Sequence, residues 1–190
     1  MKINKTIQTL ILSDVFLLTG FGLTEPIMAV YINDSIVGGS ILTAGVASTI
    51  FMVTKAFVQL PFSRYVDSHD DKEDLKWLTI GTFLILIIPF IYIFAESIYH
   101  VYLAQILYGV GAGLAYPTWL GLFSTHLDKN NESFEWSFYS TLVALGTSVS
   151  ATLGAFLAEL YGFEITFVLV GLLSLIGFFM LFRLRSLEKY

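Results

Sequence analysis

Six stretches of almost unbroken apolar sequence, at about 6–32, 41–63, 77–95, 99–124, 136–158 and 164–184, are separated by short polar connections. Each is close to the roughly 20 residues that an α-helix needs to cross a hydrocarbon core. The pattern predicts an all-α membrane protein: one domain, residues 1–190, of six transmembrane helices. The connections NDSIVGGS, RYVDSHDDKEDLK, ESI, HLDKNNESFE and LYGFE alternate in length and charge. Lys2 and Lys5, then Arg64, Lys72 and Lys76, then Lys129, then Arg183, Arg185 and Lys189 fall at the N-terminus, every second connection and the C-terminus. Cytoplasmic loops are enriched in Lys and Arg, so both termini are expected in the cytoplasm. The acids Asp67, Asp70, Asp71, Glu73 and Asp74 do not oppose this, because the rule counts basic residues and not net charge.

Composition agrees. Hydrophobic residues make up 56% of the chain and charged residues 13%, against roughly a quarter charged in soluble proteins. The N-terminal MKINKTIQTLILSDV begins like a signal peptide, but it lacks an A-x-A cleavage site and Asp14 interrupts it, so it reads as a retained first helix. There is no cysteine, which excludes disulfides, zinc–thiolate sites and Cys nucleophiles. No H-E-x-x-H, G-x-S-x-G or Walker sequence occurs, and His69, His100 and His126 are not clustered. The expectation is a protein that is not an enzyme, with no cofactor, no metal site and no nucleic-acid partner.

The chemistry is inside the spans. An ionisable group in the bilayer interior is costly to insert, so it faces the bundle interior or a wet cavity and marks a functional path. Asp14, Glu25 and Lys55 are the candidates. Asp14 and Glu25 lie eleven positions apart, about three turns, on one face of the first span and roughly 16 Å apart along its axis. Lys55, on the second span, falls at a depth similar to Asp14, so an ion pair between them is geometrically allowed. Ser48, Met52, Lys55 and Gln59 share one helical face, and Gln105 on the fourth span lies near the depth of Glu25. Pro26 removes a backbone donor and breaks the ladder near Gly22. A broken helix beside an intramembrane carboxylate suits a transporter site. The structural alternatives are that Lys55 snorkels to the interface and that Glu25 satisfies donors at a kink. The abundant aromatics, Phe16, Phe21, Tyr31, Tyr108, Tyr116 and Trp119 among them, either line a cavity or pack the bundle.

Small residues mark the packing surfaces. Gly146, Ser150, Gly154 and Ala158 form a ladder at every fourth position of the fifth span, and Gly109 with Gly113 forms a small-xxx-small pair on the fourth. Helices in lipid associate through close backbone approach over such grooves.

Four segments carry a resemblance to the major facilitator superfamily, nearest its bacterial drug-efflux type. GFGLTEPIMAVYI is similar to that family's first helix. Ser63 to Lys72 matches the spacing of the loop motif G-x-x-x-D-R-x-G-R-R/K, retaining Asp67 and Lys72. Gln105-Ile-Leu-Tyr-Gly109-Val-Gly111 resembles R-x-x-Q-G-x-G with glutamine for arginine, and Gly146 to Ala155 follows the fifth-helix pattern G-x-x-x-G-P-x-x-G-G without its proline. The resemblance covers the whole chain as one six-helix half of the usual twelve. It implies a secondary transporter of a small solute in the cell membrane, with Asp14, Glu25, Lys55, Gln59 and Gln105 as substrate or coupling residues. Half a cavity would then be completed by a homodimer or by a separately encoded six-helix half, or the chain is a fragment of a longer transporter. In a homodimer, Asp67 of one copy would approach Glu135 and Trp136 of the other, with Lys72 or Lys129 relieving the repulsion. The alternative function is a membrane scaffold or regulatory subunit that kept the packing glycines and lost coupling, since the arginine and the proline are replaced.

Overall fold

The structure, a computed structural model, describes residues 3–187; Lys2 and Lys189 of the charge pattern lie outside these. Its helices are α1 Lys5–Gly22, α2 Met28–Ser35, α3 Ile41–Val66, α4 Asp71–Ile93, α5 Ile98–Thr125, α6 Glu132–Tyr161 and α7 Phe163–Leu187. Five of them, α3 to α7, are long and apolar enough to cross a membrane. The first predicted span is divided instead into α1 and the eight-residue α2. Proline at 26 has no N–H to give the Gly22 carbonyl. The chain turns through Leu23–Ile27 on short bonds from Leu23 N–H to Gly20 O (3.1 Å), Thr24 to Phe21 (3.0 Å) and Ile27 to Thr24 (3.1 Å). Among the described residues, the Gly22 and Leu23 carbonyls accept no backbone hydrogen bond.

Other boundaries move for local reasons. The stretch expected as the loop RYVDSHDDKEDLK is largely helical. Asp70 caps α4 by accepting from the Glu73 N–H (3.1 Å), and Asp71, Glu73 and Asp74 occupy its first turn. Carboxylates there are favoured by the helix macrodipole. Between α6 and α7 only Gly162 remains outside helix, with φ +86°, a left-handed conformation that glycine adopts without strain. Asn4 caps α1, its side-chain oxygen accepting from Thr6 N–H (2.7 Å) and Ile7 N–H (3.3 Å).

Helix directions can be read from the contacts made at glycines. A Cβ on Gly109 would meet Thr54 and one on Gly113 would meet Val58, so α3 and α5 run parallel. Gly146 faces Thr19, Gly22 faces Ser150, and Gly154 faces Leu23, so α1 and α6 also run parallel. Gly20 faces Val170 while Gly177 faces Ser13, making α1 and α7 antiparallel. Gly81 faces Ala115 while Gly111 faces Ile85, and α4 and α5 are likewise antiparallel. One end of the bundle therefore collects Asn4, which donates to the His126 carbonyl (2.9 Å), together with the α3–α4 and α5–α6 connections. The other collects the α2–α3 and α4–α5 connections, joined by Val37 N–H to Glu96 O (3.0 Å) and Ile98 N–H to Val37 O (3.1 Å). There Tyr31 also donates to the Tyr92 carbonyl (2.6 Å). The first is the inner end of the bundle and the second the outer end. The core follows the same division: Leu10, Leu75, Trp119, Phe123 and Leu181 pack toward the inner end, and Tyr31, Ile32, Ile88, Tyr92 and Phe167 toward the outer. α3 and α6 are the least buried of the long helices.

The ladder on α6 thus meets α1. A Cβ on Gly154 would fall on the Leu23 carbonyl oxygen, in the break itself, whereas one on Gly45 of α3 would meet nothing within 4 Å. Gly154→Ala is expected to destabilise the protein by about 1–3 kcal/mol, because backbone and not a flexible side chain must give way. Gly45→Ala should stabilise by about 0.5–1 kcal/mol through helix propensity alone. Unfolding of the two variants in the same detergent, compared with the wild type, checks the contrast.

Candidate functional site

The break in the first span opens onto a cavity. About 680 Å³ in volume, it is lined by the turn (Gly22, Thr24, Glu25), by α2 (Met28, Ala29, Ile32), by the outer half of α3, and by Pro89, Tyr92, Gln105, Tyr108, Thr147 and Phe167. That is within the roughly 300–1,000 Å³ of small-molecule sites. Its lining is mostly apolar, and Glu25 is the one charged residue in it. Glu25 is exposed and makes no hydrogen bond or ion pair through its side chain among the described residues. Ser48 and Met52 of the polar α3 face also line the cavity, while Lys55 and Gln59 of the same face lie further toward the inner end and do not. Gln105 is buried and donates from Nε2 to the Tyr92 hydroxyl (2.9 Å), so its amide is held at the cavity wall.

Three rings form the floor. Tyr108 of α5 stacks on Phe21 of α1 (centroids 5.0 Å apart) and on Phe51 of α3 (4.3 Å), bridging two helices that barely meet otherwise. Of the aromatics singled out in the sequence, Phe21 and Tyr108 line the cavity. Tyr31 and Trp119 are buried in packing at 5% exposure each.

Below this floor lie the other two intramembrane charges, and they do not pair. Asp14 accepts a hydrogen bond from the Tyr139 hydroxyl of α6. Lys55 extends over the Tyr116 ring of α5, 4.8 Å from its centroid, and makes no ion pair among the described residues. The Asp14–Lys55 ion pair that their depths allow is therefore absent. The reason is lateral: α3 packs on α5 and α2, α1 packs on α7 and α6, and each charge takes the phenol nearest its own helix. Tyr139 was not singled out from sequence. Its signal was available, since it lies seven residues before Gly146, two turns down the small-residue stripe that faces α1.

At the inner end, Asp67 ends α3 and is exposed, as is Lys72, and neither forms an ion pair among the described residues. Glu135 is different. It is 1% exposed and accepts from the Asp128 N–H (3.2 Å), so it closes its own loop and presents no face for the Asp67 of another copy. Asp74 is also buried, and its Oδ1 has no hydrogen-bond partner. The packing residues Gly109, Gly113, Gly146, Ser150 and Gly154 all lie at helix crossings, and Ala158 is half-buried.

Comparison with known proteins places this arrangement. The family model for the Major Facilitator Superfamily matches residues 10–189. An uncharacterized MFS-type transporter of Methanocaldococcus jannaschii is 21% identical over 176 residues, covering 93% of this chain and 44% of its own length. The quinolone resistance protein NorA of Staphylococcus aureus is 25% identical over 178 residues, with the same coverage of 93% and 44%. The crystal structure of the POT family transporter PepTSo matches with a TM-score of 0.80 at 15% identity, over 98% of this chain and 38% of that one, a likeness of fold. The chain spans less than half the length of these relatives.

The two phenols below the floor differ in a way that can be measured. Tyr139→Phe is expected to destabilise the protein by about 1–3 kcal/mol, since it leaves the Asp14 carboxylate without its donor. Tyr116→Phe removes a half-exposed hydroxyl that makes no hydrogen bond among the described residues, and should shift stability by less than about 0.5 kcal/mol. Equilibrium unfolding in micelles, with Asp14→Asn as the second arm of a double-mutant cycle, checks both.

Proposed function

The chain belongs to the Major Facilitator Superfamily, and from that premise we propose that it is the six-crossing half of a secondary transporter that moves a small solute across the cell membrane. α1 and α2 together make the sixth crossing, and the basic inner end, with both termini, faces the cytoplasm. The observation that carries the reading is Glu25: a carboxylate with no ion pair or side-chain hydrogen bond among the described residues, at a helix break, lining a cavity of ligand size. A charge left in such a place is costly for a structural element and useful to a carrier, which needs a group that exchanges a proton or cation with the solute it moves. Glu25 is that group, and the cavity above the Phe21–Tyr108–Phe51 floor is where the solute sits.

One half encloses only part of such a cavity. The apolar faces of α3 and α6 flank it and are largely uncovered within the chain. A second copy related by an axis along the membrane normal, or a second six-helix bundle, completes it. Asp67 and Lys72, exposed at the inner end, are available for contact with that second bundle. The scaffold alternative draws on Gln105, whose amide is committed to Tyr92 where the family pattern has an arginine.

Proteoliposomes containing the chain, given a pH gradient and a panel of cationic, anionic, zwitterionic and neutral solutes, are expected to take up at least one of them. Glu25→Gln should reduce that uptake about tenfold or more, an effect of roughly 1.4 kcal/mol or greater. Equal uptake by wild type and Glu25→Gln overturns the role of Glu25. No uptake of any class, with only monomers on crosslinking in native membrane, overturns the transport reading in favour of the scaffold.

A further inference from the structure

Below the aromatic floor, four helices each contribute one residue to an arc: Lys55 from α3, Tyr116 from α5, Tyr139 from α6 and Asp14 from α1. Lys55 lies one turn inward from Phe51, about 6 Å, and Asp14 two turns inward from Phe21, about 10 Å, at 1.5 Å per residue. The stack that floors the outer cavity is thus the roof of this second region. The arc has two halves, Lys55 over the Tyr116 ring and Tyr139 bonded to Asp14, which meet through Trp119, three residues on from Tyr116 on α5. Trp119 closes its back, with its ring centroid 4.7 Å from that of Tyr139. Tyr116 is 47% exposed and Lys55 and Asp14 are half-buried, so the arc presents an accessible surface.

Its two ends carry opposite charges, and neither is neutralised by an ion pair among the described residues. A phenol donating one hydrogen bond does not cancel the charge of Asp14, and a ring quadrupole does not cancel that of Lys55. Two charges of opposite sign, held on different helices without an ion pair between them, are complementary to a molecule carrying both charges in reverse order. A solute with one charge would satisfy one end of the arc and leave the other exposed. The two phenols add a donor for a carboxylate and a π-face for an ammonium.

We propose that Asp14, Tyr139, Tyr116 and Lys55 form a second binding site, selective for a small amphoteric solute whose ammonium group contacts Asp14 and whose carboxylate contacts Lys55. The site is distinct from the Glu25 cavity, and its test does not require transport.

The purified chain in nanodiscs is titrated with solutes of increasing charge separation: glycine, γ-aminobutyrate, ε-aminocaproate, glycylglycine and triglycine, each against its matched alkylamine and alkyl carboxylate. Thermal unfolding and direct calorimetric titration are the readouts. One charge separation is expected to bind best and to raise the unfolding temperature, with both single-charge analogues weaker by about tenfold or more. Lys55→Gln should abolish the advantage over the alkylamine, and Lys55→Arg should restore it. If Asp14→Asn folds, it should abolish the advantage over the carboxylate; if it does not fold, the Lys55 pair decides alone. Binding of single-charge analogues as tight as the best amphoteric solute, an equal response in Lys55→Gln, or no amphoteric solute bound, overturns the site. Loss of uptake in Glu25→Gln alongside any of these would leave the transport reading standing and remove only the inner site.

Discussion

The Leu23 carbonyl lies where a side chain on Gly154 would be, and the arrangement of the outer half follows from that approach. In hydrocarbon a helix cannot open without somewhere to put the backbone groups it releases. Pro26 forces the opening, and the carbonyls of Gly22 and Leu23 lose their acceptor role. Glycine on α6 lets the Leu23 carbonyl lie directly against a neighbouring backbone, where its exposure to lipid is avoided and a weak Cα–H···O contact is available. With the break pinned there, the turn directs Glu25 into the cavity and α2 lies along the cavity's edge. The proline, the glycine and the carboxylate are therefore one device. Thr19 against Gly146 and Gly22 against Ser150 extend the same contact down the helix, fixing the register of α1 on α6.

α5 organises the other side in the same way but with two faces. Gly109 and Gly113 admit α3, and Gly111, on a different face of the helix, admits α4 at Gly81. With helices this close on two sides, α5 carries its large residues elsewhere: Tyr108 forward into the aromatic stack, Trp119 and Phe123 back into the inner core. Tyr108 is then the main link between the α1 side and the α3 side at mid-depth. Few other contacts join α1 to α5 directly. A layer of three stacked rings separates the outer cavity, with its acid, from the Asp14 and Lys55 side chains nearer the inner end.

Much of this was legible in the sequence, and the failures have a common cause. Hydropathy period and basic-residue alternation report on each helix in turn, so the positions of α3 to α7 followed from them to within a few residues. Where capping overrides hydropathy, as at Asp70, the boundary moved, because a charged first turn is polar in composition yet helical in structure. The small-residue ladder correctly announced a close neighbour, but a ladder carries no address, and that its partner is the broken turn of α1 was not legible. Asp14 and Lys55 fail in the same manner. Depth along the membrane normal can be counted from a sequence, whereas azimuth around the bundle depends on which helices are adjacent, and α1 and α3 are not. Glu135 shows the opposite case: its buried bond to the Asp128 N–H is a local loop closure that a reading directed at long-range gating passes over.

The uncovered faces of α3 and α6 acquire meaning from this azimuthal order. Exposed Phe57 and Leu60 on one, and Leu153 and Phe156 on the other, would be a liability in water, but lipid tails are as apolar as leucine, so hydrophobicity alone gives these faces no preference for protein over lipid. Any preference comes from the polar groups that the same helices carry along the concave side. Lys55 belongs to α3 and Tyr139, with its hold on Asp14, to α6. These are the two helices at the margins of the concave surface, and a lipid chain lying across it would leave Lys55 and Asp14 facing hydrocarbon. Another bundle enclosing water, or a solute bearing complementary charges, would not. The margin that packing leaves bare is therefore the one along which a lipid chain would meet charge.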